Sequence, residues 1–199
     1  MTQIKNNINT YADLTAYNAD LNKDYPNVSY IQASDEVKWV KDDPTLIVAT
    51  FDVVRTNDNK LLHNSASIEK MWIDGVLQPS VVTSYNFSTT GEHIVKYKLI
   101  NNTTIGDFCF YNLINGLDNG GLKSIIIPSN VTTIGDDSIR ENSFLESITF
   151  LATTPPTLYN YSSIYQNQEI TIYVPAESVN AYKTAQNYSR YASRIQPIS

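Results

Sequence analysis

Leu122-Lys123-Ser124-Ile125-Ile126-Ile127-Pro128 returns 23 residues later as Leu145-Glu146-Ser147-Ile148-Thr149-Phe150-Leu151, and a looser copy follows at Ile172-Tyr173-Val174-Pro175, with Ile172 standing 24 residues after Ile148. In each copy apolar side chains alternate with others, the pattern of a strand that buries one face. A weaker echo precedes them, Thr103-Thr104-Ile105-Gly106-Asp107 against Thr132-Thr133-Ile134-Gly135-Asp136. A strand and a polar turn recurring at this period predict a solenoid, a stack of coils each resting on the next, with repeats beginning near residue 94.

Within a coil, Ile125 and Ile127, or Ile148 and Phe150, are expected to point inward, while Ile105 or Ile134 plugs the turn and Gly106 or Gly135 allows a sharp bend. Three or four buried side chains at roughly 1.5–3 kcal/mol each fall short of the entropy of fixing about 23 residues, so coils must stack and both ends need caps. The strands upstream of the repeats are placed to cover one end. At the other, Pro175-Ala176-Glu177-Ser178-Val179 opens a helix carrying Val179, Tyr182, Ala185 and Tyr188, with Arg190 and Arg194 suited to the dipole at its end. Ile195 and Ile198 are expected to tuck back under the last coil.

Strands are predicted over Leu46 to Val54, Ile68 to Ile73, Val81 to Phe87 and Ile94 to Ile100, with hairpin turns at Asp74-Gly75 and Thr90-Gly91. They read as a small antiparallel β-sandwich or meander that shares one continuous core with the repeats. Ahead of them, Tyr11, Leu14, Tyr17 and Leu21 recur at spacings of three and four, predicting a short helix within residues 8–22 capped by Asn9 or Thr10. Extended pieces with Tyr25, Tyr30 and Trp39 follow. This leading segment is too small to bury its own aromatic rings, so Tyr11, Leu14, Tyr17, Leu21, Tyr25, Tyr30 and Trp39 are read as residues that dock on another body. The expected fold is mainly β in three parts: an N-terminal docking segment with a short helix (1–45), an antiparallel β-domain (46–100), and a short leucine-rich-repeat-like solenoid with a C-terminal capping helix (101–199).

The chain carries 14 Lys and Arg against 20 Asp and Glu, a net charge of −6 with no basic cluster, which predicts no nucleic-acid partner. No apolar run approaches ~18 residues and the N-terminus has no apolar signal core, so neither membrane insertion nor Sec export is expected. Cys109, the single cysteine, lies between Phe108 and Phe110 and reads as a buried small apolar residue. His63 and His93 are isolated, fit no zinc spacing, and are expected on the surface or in turns. Gly120-Gly121 lacks the remainder of a phosphate loop, and Asp136-Asp137 and Asn57-Asp58-Asn59 read as solvated turns rather than calcium loops. With no catalytic constellation, the reading is non-enzymatic, without metal or cofactor. The one local feature suited to recognition is Tyr159-Asn160-Tyr161-Ser162-Ser163-Ile164-Tyr165, where Tyr159, Tyr161 and Tyr165 are candidates to bind a glycan or a protein; equally, one or two of the rings fill space beside Pro155-Pro156.

Three ordered motifs make Leu122 to Ser199 resemble the BspA-type leucine-rich repeat of Bacteroidetes surface proteins and of virion proteins of their phages. They are Ile127-Pro128-Ser129-Asn130-Val131-Thr132-Thr133-Ile134-Gly135, then Ala152-Thr153-Thr154-Pro155-Pro156, then Tyr173-Val174-Pro175-Ala176-Glu177-Ser178-Val179-Asn180-Ala181-Tyr182. Two positions depart: the aromatic after the turn isoleucine is Phe110 in the first copy but Ile139 in the second, and the cysteine position holds Leu113 or Asn142. The leading segment, Tyr11 to Tyr30 with its Tyr25-Pro26-Asn27-Val28-Ser29-Tyr30-Ile31 core, is similar to short N-terminal modules of structural proteins of such phages. The resemblance implies a virion structural protein (head fibre, capsid decoration or tail accessory) assembled in the host cytoplasm. It would attach to other virion proteins through its N-terminal segment and form a homotrimer or homodimer. The other expectation is an adhesin or glycan-binding module of the bacterial cell surface.

Overall fold

The computed structural model describes residues 2–4, 8–10, 28–33, 36–41, 43–57, 59–64, 67–112, 120–165 and 169–198. Strand residues outnumber helical ones, 38% against 13%, so the chain is mainly β as its composition predicts. Its centre is a mixed sheet of eight strands. In chain order these are β5 (Ile47–Val53), β7 (Ile68–Ile73), β8 (Val76–Leu77), β10 (Gly91–Leu99), β12 (Gly120–Ile127), β14 (Ser147–Phe150), β16 (Thr171–Val174) and β17 (Ile195–Pro197), and across the sheet they run β8-β7-β10-β5-β12-β14-β16-β17.

The copies seen in the sequence lie side by side. Ser124, Ile125, Ile126 and Ile127 pair in parallel with Ser147, Ile148, Thr149 and Phe150, and Ile148 pairs with Ile172. Ile125, Ile127, Ile148, Phe150, Ile172 and Ile195 are fully buried, the inward set that alternation requires. Turn residues form a second parallel ladder of β11 (Thr104–Ile105), β13 (Thr133–Ile134) and β15 (Thr157–Leu158), which buries Ile105, Ile134 and Leu158 beneath it. Between the ladders a column of small side chains, Cys109, Ser138 and Ser163, is fully buried, so Cys109 sits in the core as its flanking phenylalanines indicate.

The antiparallel strands do not make a sandwich of their own. β10 pairs with β5 and β7, and β5 pairs with β12, so they form the first half of the same sheet and cover the free edge of the parallel half. One cluster of buried side chains accordingly runs from Ile47 to Ile195. β10 is antiparallel to both neighbours, so parallel pairing starts at β12 in this sheet and at Thr104 in the turn ladder, rather than near residue 94. Asp74 and Gly75, at φ 49° and 81°, make the expected two-residue hairpin between β7 and β8. Thr90-Gly91 does not join a hairpin, because the strand before it, β9 (Ser84–Asn86), pairs instead with β6 (Asn59–Leu61).

Gly106 and Gly135 are not in the left-handed region, unlike Gly75, Gly91 and Gly120, so a sharp bend is not what requires glycine at 135. A Cβ on Gly135 would lie 2.7 Å from the backbone nitrogen of Asp107 and 2.9 Å from the carbonyl carbon of Gly106: the second turn rests main chain on main chain upon the first.

At the C-terminal end the expected long helix is short. α1 (Val179–Thr184) stops at Ala185, whose ψ of 147° is extended, and Asn187 turns the chain at φ 67° into a 3-10 segment, Ser189–Arg194. Residues spaced by three drift about 60° per step on an α-helix, so a continuous helix would put Tyr188 on the side opposite Val179. Breaking it lets Tyr182 and Tyr188 both reach Phe150, with ring centroids at 5.6 and 5.7 Å. The cap supplies side-chain donors where the ladders have no further backbone: Tyr182 Oη donates to Ala152 O (2.8 Å), Asn187 Nδ2 to Leu158 O (3.2 Å) and Tyr191 Oη to Tyr161 O (2.8 Å). Ile195 is buried as expected, but Ile198 is 38% exposed and contributes its backbone N–H to Val174 O instead.

The leading segment forms β1 (Thr2–Ile4), β2 (Ile8–Thr10), β3 (Val28–Ala33) and β4 (Glu36–Lys41), ordered β1-β2-β4-β3 and joined to β8 through the pair Gln32 and Val76. Residues 8–10, which include both proposed helix caps, are therefore strand, and the rest of the expected helix lies outside the described residues. On the sheet face away from the main core, beside β8, Trp72 packs with Leu46 and Leu77. Among the described residues no helix is long and apolar enough to cross a membrane.

Candidate functional site

The third member of the turn ladder differs from the first two in a way that builds a surface. Gly135 N donates to Ile105 O and Tyr159 N to Ile134 O, both at 2.9 Å, so Tyr159 takes the position that Gly106 and Gly135 hold in earlier turns. Its ring is 72% exposed. Asn160 follows where Asp107 and Asp136 stand, and these side chains link the turns: Asp136 N donates to Asp107 Oδ1 (2.7 Å) and Asn160 Nδ2 to Asp136 Oδ1 (2.5 Å).

Asn160 also fixes the loop that carries the tyrosines. Its Oδ1 accepts from Ser162 N (2.8 Å) and Ser163 N (3.1 Å), while Asn160 N donates to Ser163 Oγ (3.3 Å), a reciprocal cap on the 3-10 turn Tyr161–Ile164. Ile164 and Ser163 are fully buried, so the turn is anchored below and capped at its start. Tyr161 remains 54% exposed, with the guanidinium carbon of Arg190 over its ring at 4.3 Å from the centroid. Tyr165 is half-buried and lies 5.9 Å from the guanidinium of Arg140.

The three arginines near this turn sit in different electrostatic settings. Arg140 is paired with Asp137 (3.0 Å) and Glu141 (3.2 Å), and the hydrogen bond to Asp137 is the main reason its guanidinium holds its proton above the usual range. Arg194 reaches Glu169 only at 3.7 Å, and that carboxylate side chain is 90% exposed. Burial pushes the Tyr191 phenol up, against the pull of Arg190 and Arg194, so both guanidiniums act on the same hydroxyl. Ahead of the turn in the chain, Leu151 to Thr157 line, with Ser129, Val131 and Thr132, an open groove of about 480 Å³ bearing several threonine hydroxyls and no charged side chain.

Tyr159, Tyr161 and Tyr165 are thus carried on one rigid turn, with two rings exposed and one half-buried. The three arginines carry no local sequence signal for this site: Arg190 and Arg194 suit a helix dipole by position, and nothing nearby in the sequence shows that the chain folds back to bring Arg190 over Tyr161. Of the docking candidates, Tyr30 and Trp39 are cross-strand partners on β3 and β4, whereas Tyr11, Leu14, Tyr17, Leu21 and Tyr25 lie outside the described residues. Both histidines are buried, contrary to expectation. His93 is held between Asp74 Oδ2 at Nδ1 (2.7 Å) and Thr89 O at Nε2 (3.0 Å) and packs on Phe87, and His63 meets Tyr97 edge-on, so each has one partner distant in sequence, Asp74 or Tyr97. Among the described residues no three His, Cys, Asp or Glu side chains gather as metal ligands would. No protein-family model matches the chain, and no curated protein matches it in sequence.

Proposed function

We propose that the chain is a non-enzymatic structural protein of a phage particle, a head fibre, capsid decoration or tail accessory. It docks to other virion proteins through residues 1–45 and displays residues 101–199 as a short BspA-type, leucine-rich-repeat-like solenoid for adhesion. The observation that carries the display role is the capped turn Tyr161–Ile164, which holds Tyr159 and Tyr161 exposed on a rigid support; pre-organised aromatic side chains give contact area at low entropic cost. The in-register parallel pairing of the repeats, with offsets of 23 and 24 residues, supports the solenoid. Docking at the opposite end is supported by the position of β1 to β4, which extend the sheet beyond β8 while the tyrosine turn lies toward β17. Appendages of symmetric particles are themselves symmetric, so the functional unit is a homotrimer or homodimer. Deleting residues 1–45 is expected to abolish incorporation into particles, read by mass spectrometry of purified virions, while circular dichroism shows the remainder folded. Normal incorporation of the truncated protein rejects the docking role, and recovery of the native protein from the bacterial surface rather than from particles selects a cell-surface adhesin.

A further inference from the structure

This inference rests on the adhesive reading of the tyrosine turn and specifies its ligand. We propose that the Tyr161–Arg190 stack is a subsite for a carboxylate-bearing sugar of an acidic surface polysaccharide, the guanidinium taking the carboxylate and the exposed ring of Tyr159 taking the apolar face of the saccharide.

Arg190 is exposed, and among the described residues no carboxylate lies within ion-pair distance of it; its recorded partner is the Tyr161 ring at 4.3 Å. A guanidinium resting on a ring face is oriented by the cation–π attraction yet keeps its in-plane N–H donors at the edge, where they match a carboxylate in a forked pair. Arg140 cannot serve, because Asp137 and Glu141 already occupy it. Arg194 adds a second positive charge nearby, since its contact with the exposed Glu169 at 3.7 Å is loose enough to exchange with solvent. The chain carries a net charge of −6, so two weakly neutralised guanidiniums beside exposed tyrosines are a local reversal of its overall field.

A saccharide fits this spot better than an acidic peptide does. Tyr159 and Tyr161 flank Asn160 on a turn fixed by its own cap and by the Tyr191 hydrogen bond, so the backbone that carries both tyrosines is ordered before a ligand arrives. An exposed ring such as Tyr159 takes the C–H face of a sugar, whereas an extended acidic peptide would pair along the edge of the turn ladder, where Asn187 and Tyr191 already bond to Leu158 O and Tyr161 O. The groove of about 480 Å³, whose lining ends at Thr157 two residues before Tyr159, offers threonine hydroxyls that suit the hydroxyl-rich remainder of a glycan.

The test uses the full-length protein against polygalacturonate and alginate, with methyl-esterified polygalacturonate and polyglutamate as comparison arms, measured by biolayer interferometry at two salt concentrations. The expected result is binding to at least one polyuronate that weakens with salt, and a wild-type affinity for the methyl ester at least about tenfold lower. Arg190→Ala should lose the same factor at an unchanged unfolding temperature, and Arg190→Lys, which keeps the charge but not the planar fork, should fall between. No binding to either polyuronate, equal binding to the ester, or wild-type binding by Arg190→Ala overturns the proposal; equal or tighter binding to polyglutamate overturns it in favour of an acidic peptide. Adhesion to host cells, run in parallel, separates the two levels. If Arg190→Ala adheres as well as wild type, the ligand assignment fails alone; if neither adheres, the adhesive reading fails and this proposal with it.

Discussion

Gly135→Ala places a methyl group 2.7 Å from Asp107 N and 2.9 Å from the carbonyl carbon of Gly106, and closer still to Asp107 Oδ1. The first two contacts are main-chain atoms, which cannot swing aside as a side chain can, so the first and second turns must part. Parting strains the bond from Asp136 N to Asp107 Oδ1 (2.7 Å) and the bond from Gly135 N to Ile105 O (2.9 Å). Overfilling of this kind costs about 1–3 kcal/mol, and weakening a hydrogen bond to a carboxylate adds about 1, for an expected loss of about 2–4 kcal/mol. At a urea dependence of about 2 kcal/mol per molar, the unfolding midpoint should fall by about 1–2 M, followed by tryptophan fluorescence. Gly135→Asn is the informative companion. Asparagine tolerates left-handed backbone but carries the same Cβ, so it should be as harmful as alanine; recovery of stability with asparagine would instead mean that the bend, and not close approach, sets the requirement. Gly121→Ala serves as the internal control, since its nearest new contact, Phe144 Cδ2 at 3.5 Å, is an ordinary one and its φ is not left-handed. It should be neutral or stabilising by up to about 1 kcal/mol. A Gly135→Ala protein with the native midpoint would refute the close-approach account.

The C-terminal cap yields a pair of opposed outcomes. Tyr182→Phe removes the bond to Ala152 O and should cost about 1 kcal/mol in thermal unfolding, whereas Tyr188→Phe should be neutral or stabilising, because its buried hydroxyl meets no hydrogen-bond partner among the described residues; equal losses would contradict this. Burial raises the phenols of Tyr97, Tyr182 and Tyr188 above their ordinary value, so the fold favours their neutral form. That contribution is complete below the unfolded value of about 10 and is lost as pH rises beyond it, so urea midpoints should hold to about pH 9 and then fall, and an undiminished midpoint at about pH 12 would count against it. Asn142→Ala should destabilise by about 1–3 kcal/mol, since the buried amide donates to Phe110 O (2.7 Å) and Arg140 O (3.3 Å), and hydrogen exchange should localise the opening to residues 110–142.

What the sequence made legible was the part of the fold set by local alternation and period: Ser124 against Ser147 and Ile148 against Ile172 pair as the copies align. Even the departure at Asn142 is explained by two carbonyls within reach. The third turn was hidden because Thr157-Leu158 is followed by Tyr159-Asn160 instead of Gly-Asp, although Asn160 does the hydrogen bonding of an aspartate there. Pairing of β5 with β12 was not legible either, since it joins strands far apart in the chain whose patterns fit several neighbours equally. His93 was misplaced for the same reason, its carboxylate partner standing on another strand's hairpin. At the candidate site the tyrosines could be named from composition, but Arg190 could not, because its meeting with Tyr161 depends on where α1 breaks.

The C-terminal segment closes the parallel ladders with Tyr182, Asn187 and Tyr191 bonded to main-chain carbonyls. Nothing in those three bonds depends on how many parallel strands precede them. Splicing in another 24-residue copy between β14 and β16 would therefore translate the tyrosine turn outward by one strand spacing, about 4.8 Å, while both ends keep their own contacts. The chain is in this sense a ruler graduated in strands, whose length can be reset by gene duplication or by design without rebuilding the contacts at either end.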